Sequence, residues 1–121
     1  MPHLTLEYTA NLDGFDPLPI LRSLNRALAA TGEFTEVDIK ARARALHDFV
    51  IGTVEAQRGF VHAQLAILSG RDADTKKKVA GLMLEVLQSA CPRVAGLSVQ
   101  LCAEIVEIDR PSYAKSVVQD D

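Results

Sequence analysis

The second residue of the chain is a proline, and it heads an alternating segment that runs from Pro2 to Tyr8. If Met1 is removed, the ring nitrogen of Pro2 becomes a free secondary amine. The rigid ring limits the orientations that this nitrogen can take. A general base needs a pKa near the operating pH, and both burial and neighbouring cations lower the pKa of an amine. Pro2 is therefore a candidate base if it lies in a partly buried site lined by Arg or Lys. The alternative is that Pro2 merely follows Met1 and has no chemical role.

Cations at every second position form another candidate feature: Lys40, Arg42 and Arg44 are separated by alanines. On a β-strand this period places all three on one face. Arg71 lies in a predicted turn before a helix, where backbone N–H groups also favour an anion. These four residues could bind a dicarboxylate or tricarboxylate, with bidentate arginine–carboxylate pairs setting its orientation. A solvated strand face with a surface arginine is the alternative.

The elements that must position these residues occur in two similar halves. Each half reads as a strand, a helix and a second strand, because apolar residues alternate in the strands and recur at helical spacing in the helices. The predicted bounds are a strand at 2–8, a helix from Pro19 to Gly32, a strand near 37–50, a linker at 52–59, a strand at 60–68, a helix capped by Asp72 or Asp74, and a strand at 97–105. The predicted fold class is α+β, with two β-α-β units in a four-stranded sheet and two helices on one face.

The length of 121 residues predicts a single domain spanning 1–121, with an internal repeat of 2–50 and 60–108. Residues 109–121 are predicted to be a polar tail or an arm that contacts another subunit. Two helices cover only one face of the sheet, so the other face needs a partner, and closed symmetric assemblies are the usual solution.

Composition narrows the classes of partner. The formal net charge of −3 gives no reason to expect a nucleic acid or an anionic membrane, and no apolar run is long enough to span a bilayer. Nothing resembles a signal peptide, and Cys91 and Cys102 form no CxxC motif, so we expect reduced thiols and a cytoplasmic protein. The histidines His3, His47 and His62 share no metal-ligand spacing, so no metal is expected.

Several stretches, in their order and spacing, resemble the tautomerase superfamily, and most closely its 5-carboxymethyl-2-hydroxymuconate isomerases of homoprotocatechuate breakdown. The stretches are Pro2-His3-Leu4 with Glu7, Leu28-Ala29-Ala30-Thr31-Gly32-Glu33-Phe34, Ile39-Lys40-Ala41-Arg42, Phe60-Val61-His62 and Gly70-Arg71. The resemblance spans nearly the whole chain and fades in 45–59 and in the tail. It implies a cofactor-free keto–enol isomerase of small unsaturated acids, built as a homotrimer.

The resemblance also implies roles for individual residues. Pro2, once N-terminal, would move a proton between the 2-hydroxyl (or C3) and C5 of a dienol diacid. Arg42 and Arg71 would bind carboxylates and draw charge toward the 2-oxo end, and Phe60 would help to keep the site dry unless it belongs to the core. Lys40 stands where the resembled enzymes have arginine, and lysine cannot form a planar fork. While Met1 is attached, the Pro2 nitrogen is an amide and cannot act as a base.

Two other functions stay open at this point. The same order of elements occurs in ferredoxin-like ligand-binding or regulatory modules. In such a module the basic strand face would bind an anionic effector, and Pro2 would have no role. The superfamily also contains decarboxylases and dehalogenases that act on unsaturated acids with a protonated proline, usually with an added carboxylate that this sequence does not identify. Fold alone does not choose among these functions.

Overall fold

The computed structural model describes residues 1–120. The main elements, in chain order, are strand β1 (His3–Thr9), helix α1 (Pro17–Ala30), strand β2 (Lys40–Leu46), strand β3 (Arg58–Leu68), helix α2 (Ala73–Ala90) and strand β4 (Ser98–Ile108). Short 3-10 turns lie at Glu36–Asp38 and Arg110–Ser112. The four strands form one sheet and both helices pack on one of its faces, so the predicted fold class is confirmed.

The order of strands across the sheet is β2-β1-β3-β4. Strands β1 and β2 are parallel, strands β3 and β4 are parallel, and the central pair β1 and β3 is antiparallel. Each helix therefore connects two strands that are direct neighbours. Ferredoxin-like modules contain a split β-α-β unit, in which another strand lies between the two that the helix connects. The ferredoxin-like alternative thus disagrees with the observed strand order.

The core lies between the sheet and the two helices. Alternate residues of β1 and β3 point into it, as the half-buried strand pattern predicted. The helices contribute apolar stripes at helical spacing. The most buried members are Leu4, Leu6, Leu24, Leu28, Val61, Leu65, Ile67, Met83 and Leu87. Of the two predicted caps of α2, Asp72 is confirmed, because its Oδ1 accepts a hydrogen bond from the backbone nitrogen of Thr75 at 2.8 Å.

Strand β2 is shorter than predicted. The prediction was a strand near 37–50, whereas the observed strand is Lys40–Leu46 and a 3-10 turn precedes it. Within residues 1–120, β2 pairs with β1 alone, in a register that runs from His3 opposite Lys40 to Thr9 opposite Leu46. An edge strand can form a ladder only as far as its neighbour extends, so residues 47–57 form a loop.

Two glycines shape the turns that lead to the predicted cations. Gly32, at φ +78°, follows the end of α1 and precedes Glu33 and Phe34. Gly70, at φ +128°, lies between the end of β3 and Arg71. Residues with a side chain rarely adopt such positive φ values. The two turns meet, because Arg71 contacts both Glu33 and Phe34.

Candidate functional site

Pro2 lies fully buried at the start of β1. Its carbonyl oxygen accepts a hydrogen bond from the backbone nitrogen of Lys40 at 3.1 Å, which joins the first residues of the chain to β2. The ring nitrogen has no N–H to contribute to the sheet. The structure thus holds the residue before β1 in one place and leaves its nitrogen free of any role in the β-ladder.

The amine at the N-terminus lies among charged side chains. Burial lowers the pKa of the Met1 amine, and the positive charges of Lys40, Arg71 and Lys115 lower it further, while the negative charge of Asp38 raises it. A lowered pKa increases the share of unprotonated amine at neutral pH, and only the unprotonated amine can accept a proton. This end of the sheet therefore favours the unprotonated form of an amine, which is the form that can act as a general base.

Arg71 is held by three contacts across the two glycine turns. Its Nε lies 3.2 Å from Oε1 of Glu33, and a terminal nitrogen donates to the backbone carbonyl of Glu33 at 2.6 Å. The guanidinium also lies over the ring of Phe34, 4.7 Å from its centroid, in a cation–π arrangement. A substrate carboxylate could take the place of the Glu33 carboxylate, while the other two contacts keep the arginine in position.

A chain of hydrogen bonds runs from Arg42 through His3 to Tyr113. Arg42 donates to Nδ1 of His3 at 2.7 Å, since a guanidinium has no acceptor. The ring proton of His3 must then lie on Nε2, which is 3.0 Å from the hydroxyl of Tyr113. Burial and the charges of Lys40 and Arg42 lower the pKa of His3, so the ring is neutral near pH 7. These hydrogen bonds hold Arg42 beside the start of β1.

The alternating cations share one face of the sheet. Lys40, Arg42 and Arg44 pair with His3, Thr5 and Glu7 of β1, on the face that no helix covers. The ammonium of Lys40 donates to the backbone carbonyl of Asp38. Lys40 therefore lies at the end of the sheet that holds Pro2, and Arg44 lies farthest from that end.

Phe60 does not join the other predicted site residues within one chain. Its side chain is half-buried on the uncovered face of β3. Because β1 and β3 are antiparallel, Ala66 pairs with His3 next to Pro2, and Phe60 precedes Ala66 by six residues. Six residues of strand span about 20 Å. The structure thus brings Pro2, Lys40 and Arg71 to one end of the sheet, with Arg42 adjacent, and leaves Phe60 at the other end.

Three residues at this end were not predicted from the sequence: Asp38, Tyr113 and Lys115. The ammonium of Lys115 lies 2.6 Å from Oδ1 of Asp38 and 3.2 Å from the sulfur of Met1. The predicted tail thus contacts its own chain through Tyr113 and Lys115. The one available signal was that Tyr113 is the sole aromatic residue after Phe60.

The chemistry open to this end of the sheet is proton transfer next to bound anions. An amine with a lowered pKa can accept a proton, and the surrounding cations can hold carboxylates and stabilise negative charge that develops nearby. Within residues 1–120, no three His, Cys, Asp or Glu side chains are grouped so as to hold a metal ion. None of the helices in that range is both long and apolar enough to cross a membrane.

Known structures share this fold. A 5-carboxymethyl-2-hydroxymuconate isomerase from Deinococcus radiodurans R1 is 34% identical, with 95% of this chain and 88% of that chain covered and a TM-score of 0.86. A second structure, a 5-carboxymethyl-2-hydroxymuconate delta-isomerase, is 19% identical over 98% of this chain and 89% of that chain, with a TM-score of 0.82. A fused 4-OT that forms a symmetric trimer is 15% identical over 94% and 93%, with a TM-score of 0.68. The last two likenesses show the fold alone.

The sequence match to a family is nearly complete. Residues 2–120 match the sequence profile described as 5-carboxymethyl-2-hydroxymuconate isomerase. No curated protein matches the chain in sequence. The matched range covers all the predicted site residues and the described C-terminal segment. The chain belongs to the 5-carboxymethyl-2-hydroxymuconate isomerase family of enzymes.

Proposed function

We propose that this isomerase moves a proton within unsaturated 2-hydroxy or 2-oxo acids that carry two or three carboxylates, with Pro2 as the general base once Met1 is removed. The observation that carries the proposal is the position of the fully buried Pro2 directly beside the Met1 amine, whose pKa is lowered by burial and by the charges of Lys40, Arg71 and Lys115. Membership of the isomerase family supports the reaction class, and the 34% identical isomerase from Deinococcus radiodurans R1 supports a substrate of the 5-carboxymethyl-2-hydroxymuconate type.

In the proposed reaction the free amine of Pro2 accepts the proton of the 2-hydroxyl group of the dienol and delivers a proton to C5. The hydroxyl carbon C2 becomes a 2-oxo carbon, the C2=C3 and C4=C5 double bonds of the dienol are replaced by one between C3 and C4, and the amine returns to its starting state. The step needs no cofactor, because one group both accepts and returns the proton. Negative charge develops on the dienolate during the transfer, and cations that contact this charge stabilise the transition state more than the ground state.

Different cations would bind different carboxylates of the substrate. Arg71, stacked on Phe34, presents a planar fork that suits bidentate binding of a carboxylate. Arg42 lies on the uncovered face beside His3, where it would draw charge toward the 2-oxo end. Lys40 would contribute a point charge without a fork, because its ammonium binds one oxygen at a time.

We further propose that the protein is a homotrimer. The uncovered sheet face carries the three alternating cations of β2 and the half-buried Phe60 of β3. Phe60 lies about 20 Å from the start of β1 in its own chain, so it could reach a Pro2 site only in another subunit. The fold shared with a fused 4-OT that forms a symmetric trimer agrees with this assembly. Sedimentation that shows a stable monomer at micromolar concentration would contradict it.

The function is tested by an ultraviolet assay of isomerisation, with a 5-carboxymethyl-2-hydroxymuconate-type dienol as substrate and protein whose N-terminus is verified by mass spectrometry. Replacing the base by Pro2→Ala, or retaining Met1, should lower kcat at least about a hundredfold, a loss typical of removing general-base catalysis. Pro92→Ala is the matched control, because Pro92 follows the end of α2, away from the N-terminus. Full activity of protein that retains Met1 would show that Pro2 is not the base.

A further inference from the structure

The C-terminal segment 113–115 lies against the beginning of the chain. Strand β4 ends at Ile108 beside Leu68, the last residue of β3. Because β3 is antiparallel to β1, the chain leaves the sheet at the end where β1 begins. The 3-10 turn at Arg110–Ser112 follows, and it is held by a 2.7 Å hydrogen bond from Arg110 to the backbone carbonyl of Ser69. This turn sends the next residues toward the N-terminus.

Lys115 ends this path at the N-terminus itself. Its ammonium donates to Oδ1 of Asp38 at 2.6 Å and points at the sulfur of Met1 at 3.2 Å. An ammonium has three donors, and a thioether sulfur is only a weak acceptor. Removal of Met1 would leave one of these donors without its weak partner, facing the space that the Met1 side chain had filled beside Pro2. A carboxylate oxygen is a much stronger acceptor and would form a charge-assisted hydrogen bond there.

We propose that Lys115 is a carboxylate-binding residue of the Pro2 site and that Asp38 holds its ammonium in place. The ligand is a carboxylate of the unsaturated acid, so this inference rests on the proposed function. Lys115 would bind the carboxylate that enters where Met1 has left, and Arg71 would bind another. The competing explanation is a surface ion pair between Lys115 and Asp38, which would contribute little to stability and nothing to ligand binding.

The charges that face the amine come from three parts of the chain. Asp38 ends the 3-10 turn before β2 and Lys40 begins β2, Arg71 lies in the turn before α2, and Lys115 lies in the C-terminal segment. Lys115 lowers the pKa of the N-terminal amine, whereas Asp38 raises it. Lys115, which would bind the carboxylate, would therefore also favour the unprotonated base. Removing Lys115 should raise the pKa of the amine, and removing Asp38 should lower it.

Binding is tested by calorimetry on protein that lacks Met1, with muconate as a dicarboxylate probe. Lys115→Met keeps the length of the side chain and removes its charge, and Lys77→Met is the matched control on the exposed face of α2. We expect Lys115→Met to raise the Kd for muconate about tenfold or more, as for loss of a hydrogen bond to a charged group. Lys115→Arg should keep most of the affinity. A Kd for Lys115→Met within about twofold of the Lys77→Met value would overturn the inference.

A second measurement does not depend on catalysis or on the probe. With proline labelled by nitrogen-15, the pKa of the Pro2 amine is read from an NMR titration. Lys115→Met should raise this pKa and Asp38→Asn should lower it, so a shift of the same sign in both variants, or no shift, would contradict the proposed position of Lys115. The proposed function fails separately, through an isomerase activity that Pro2→Ala leaves intact.

Discussion

We expect the ion pair between Arg71 and Glu33 to control how readily Arg71 binds a substrate carboxylate. In the proposed site, the arginine would exchange the carboxylate of Glu33 for that of the ligand. Glu33→Gln keeps the size of the side chain and removes its charge. The other two contacts of Arg71, with the backbone carbonyl of residue 33 and with the ring of Phe34, do not depend on that charge. The variant should therefore present the same arginine with less competition.

The size of the effect follows from the exposure of the pair. The side chains of Arg71 and Glu33 are 24% and 40% exposed, so water screens their attraction. Such pairs contribute roughly 0.2–1 kcal/mol, which corresponds to a KM lowered by about 1.4- to 5-fold. The free enzyme alone contains the pair, whereas the substrate complex and the transition state have both lost it. The value of kcat should therefore stay the same while kcat/KM rises.

The assay is steady-state isomerisation followed by ultraviolet absorbance, at low and at high salt. Glu36→Gln is the matched control, because Glu36 is a nearby exposed acid in the 3-10 turn before β2. The difference in KM between the parent and Glu33→Gln should shrink as salt screens the pair. If Glu33→Gln leaves KM unchanged or raises it, Glu33 serves to position Arg71, and the exchange of carboxylates is wrong.

Three further predictions concern the cap, the cations and pH. Asp72→Ala removes the side-chain cap that Thr75 donates to, so it should lower Tm by about 4 °C, measured by calorimetry. Arg42→Ala should lower kcat as well as raise KM, because negative charge near Arg42 develops only in the dienolate. Lys40→Arg should be tolerated. Values of kcat and KM for Arg42→Ala within about twofold of the parent would make Arg42 a solvated surface residue. Burial and neighbouring cations lower the pKa of His3 in the folded state, so its contribution to stability is full above the unfolded value of about 6.5 and is lost as pH falls through the folded pKa. Urea unfolding at pH 7 and pH 5 checks this, and a His3→Gln variant that loses as much stability as the parent would contradict it.

The halves of the fold were predictable because residues of opposite burial alternate along the strands, most clearly in β1 and β3, whose inner faces are buried. In β3 the residues Val61, Ala63, Leu65 and Ile67 are buried and the residues between them are not, so local alternation carries the strand signal. The ends of β2 were not predictable in the same way. The length of an edge strand depends on its neighbour β1, and the pairing of the two is a contact between distant parts of the chain.

The site was only partly predictable for the same reason. Pro2 is distinctive in itself, and the period of two in Lys40 and Arg42 indicates a shared face. The contacts of the C-terminal segment join residues that are 77 positions apart for Asp38 and Lys115 and 110 positions apart for His3 and Tyr113. A short polar tail has no periodicity that could signal such contacts. Where that tail lies depends on where β4 ends.

Read from either edge, the sheet has the second strand of one half and then its first strand, and the two central first strands, β1 and β3, are antiparallel. An approximate twofold axis between β1 and β3 therefore relates two half-length polypeptides, which the loop at 47–57 joins. A chain cut in this loop would leave each β-α-β unit whole and create a new N-terminus just before β3. A proline placed at position 57 would then carry its amine at the opposite end of the sheet from Pro2. The same architecture thus has two places for an N-terminal base, and the position of the chain break decides which one is used.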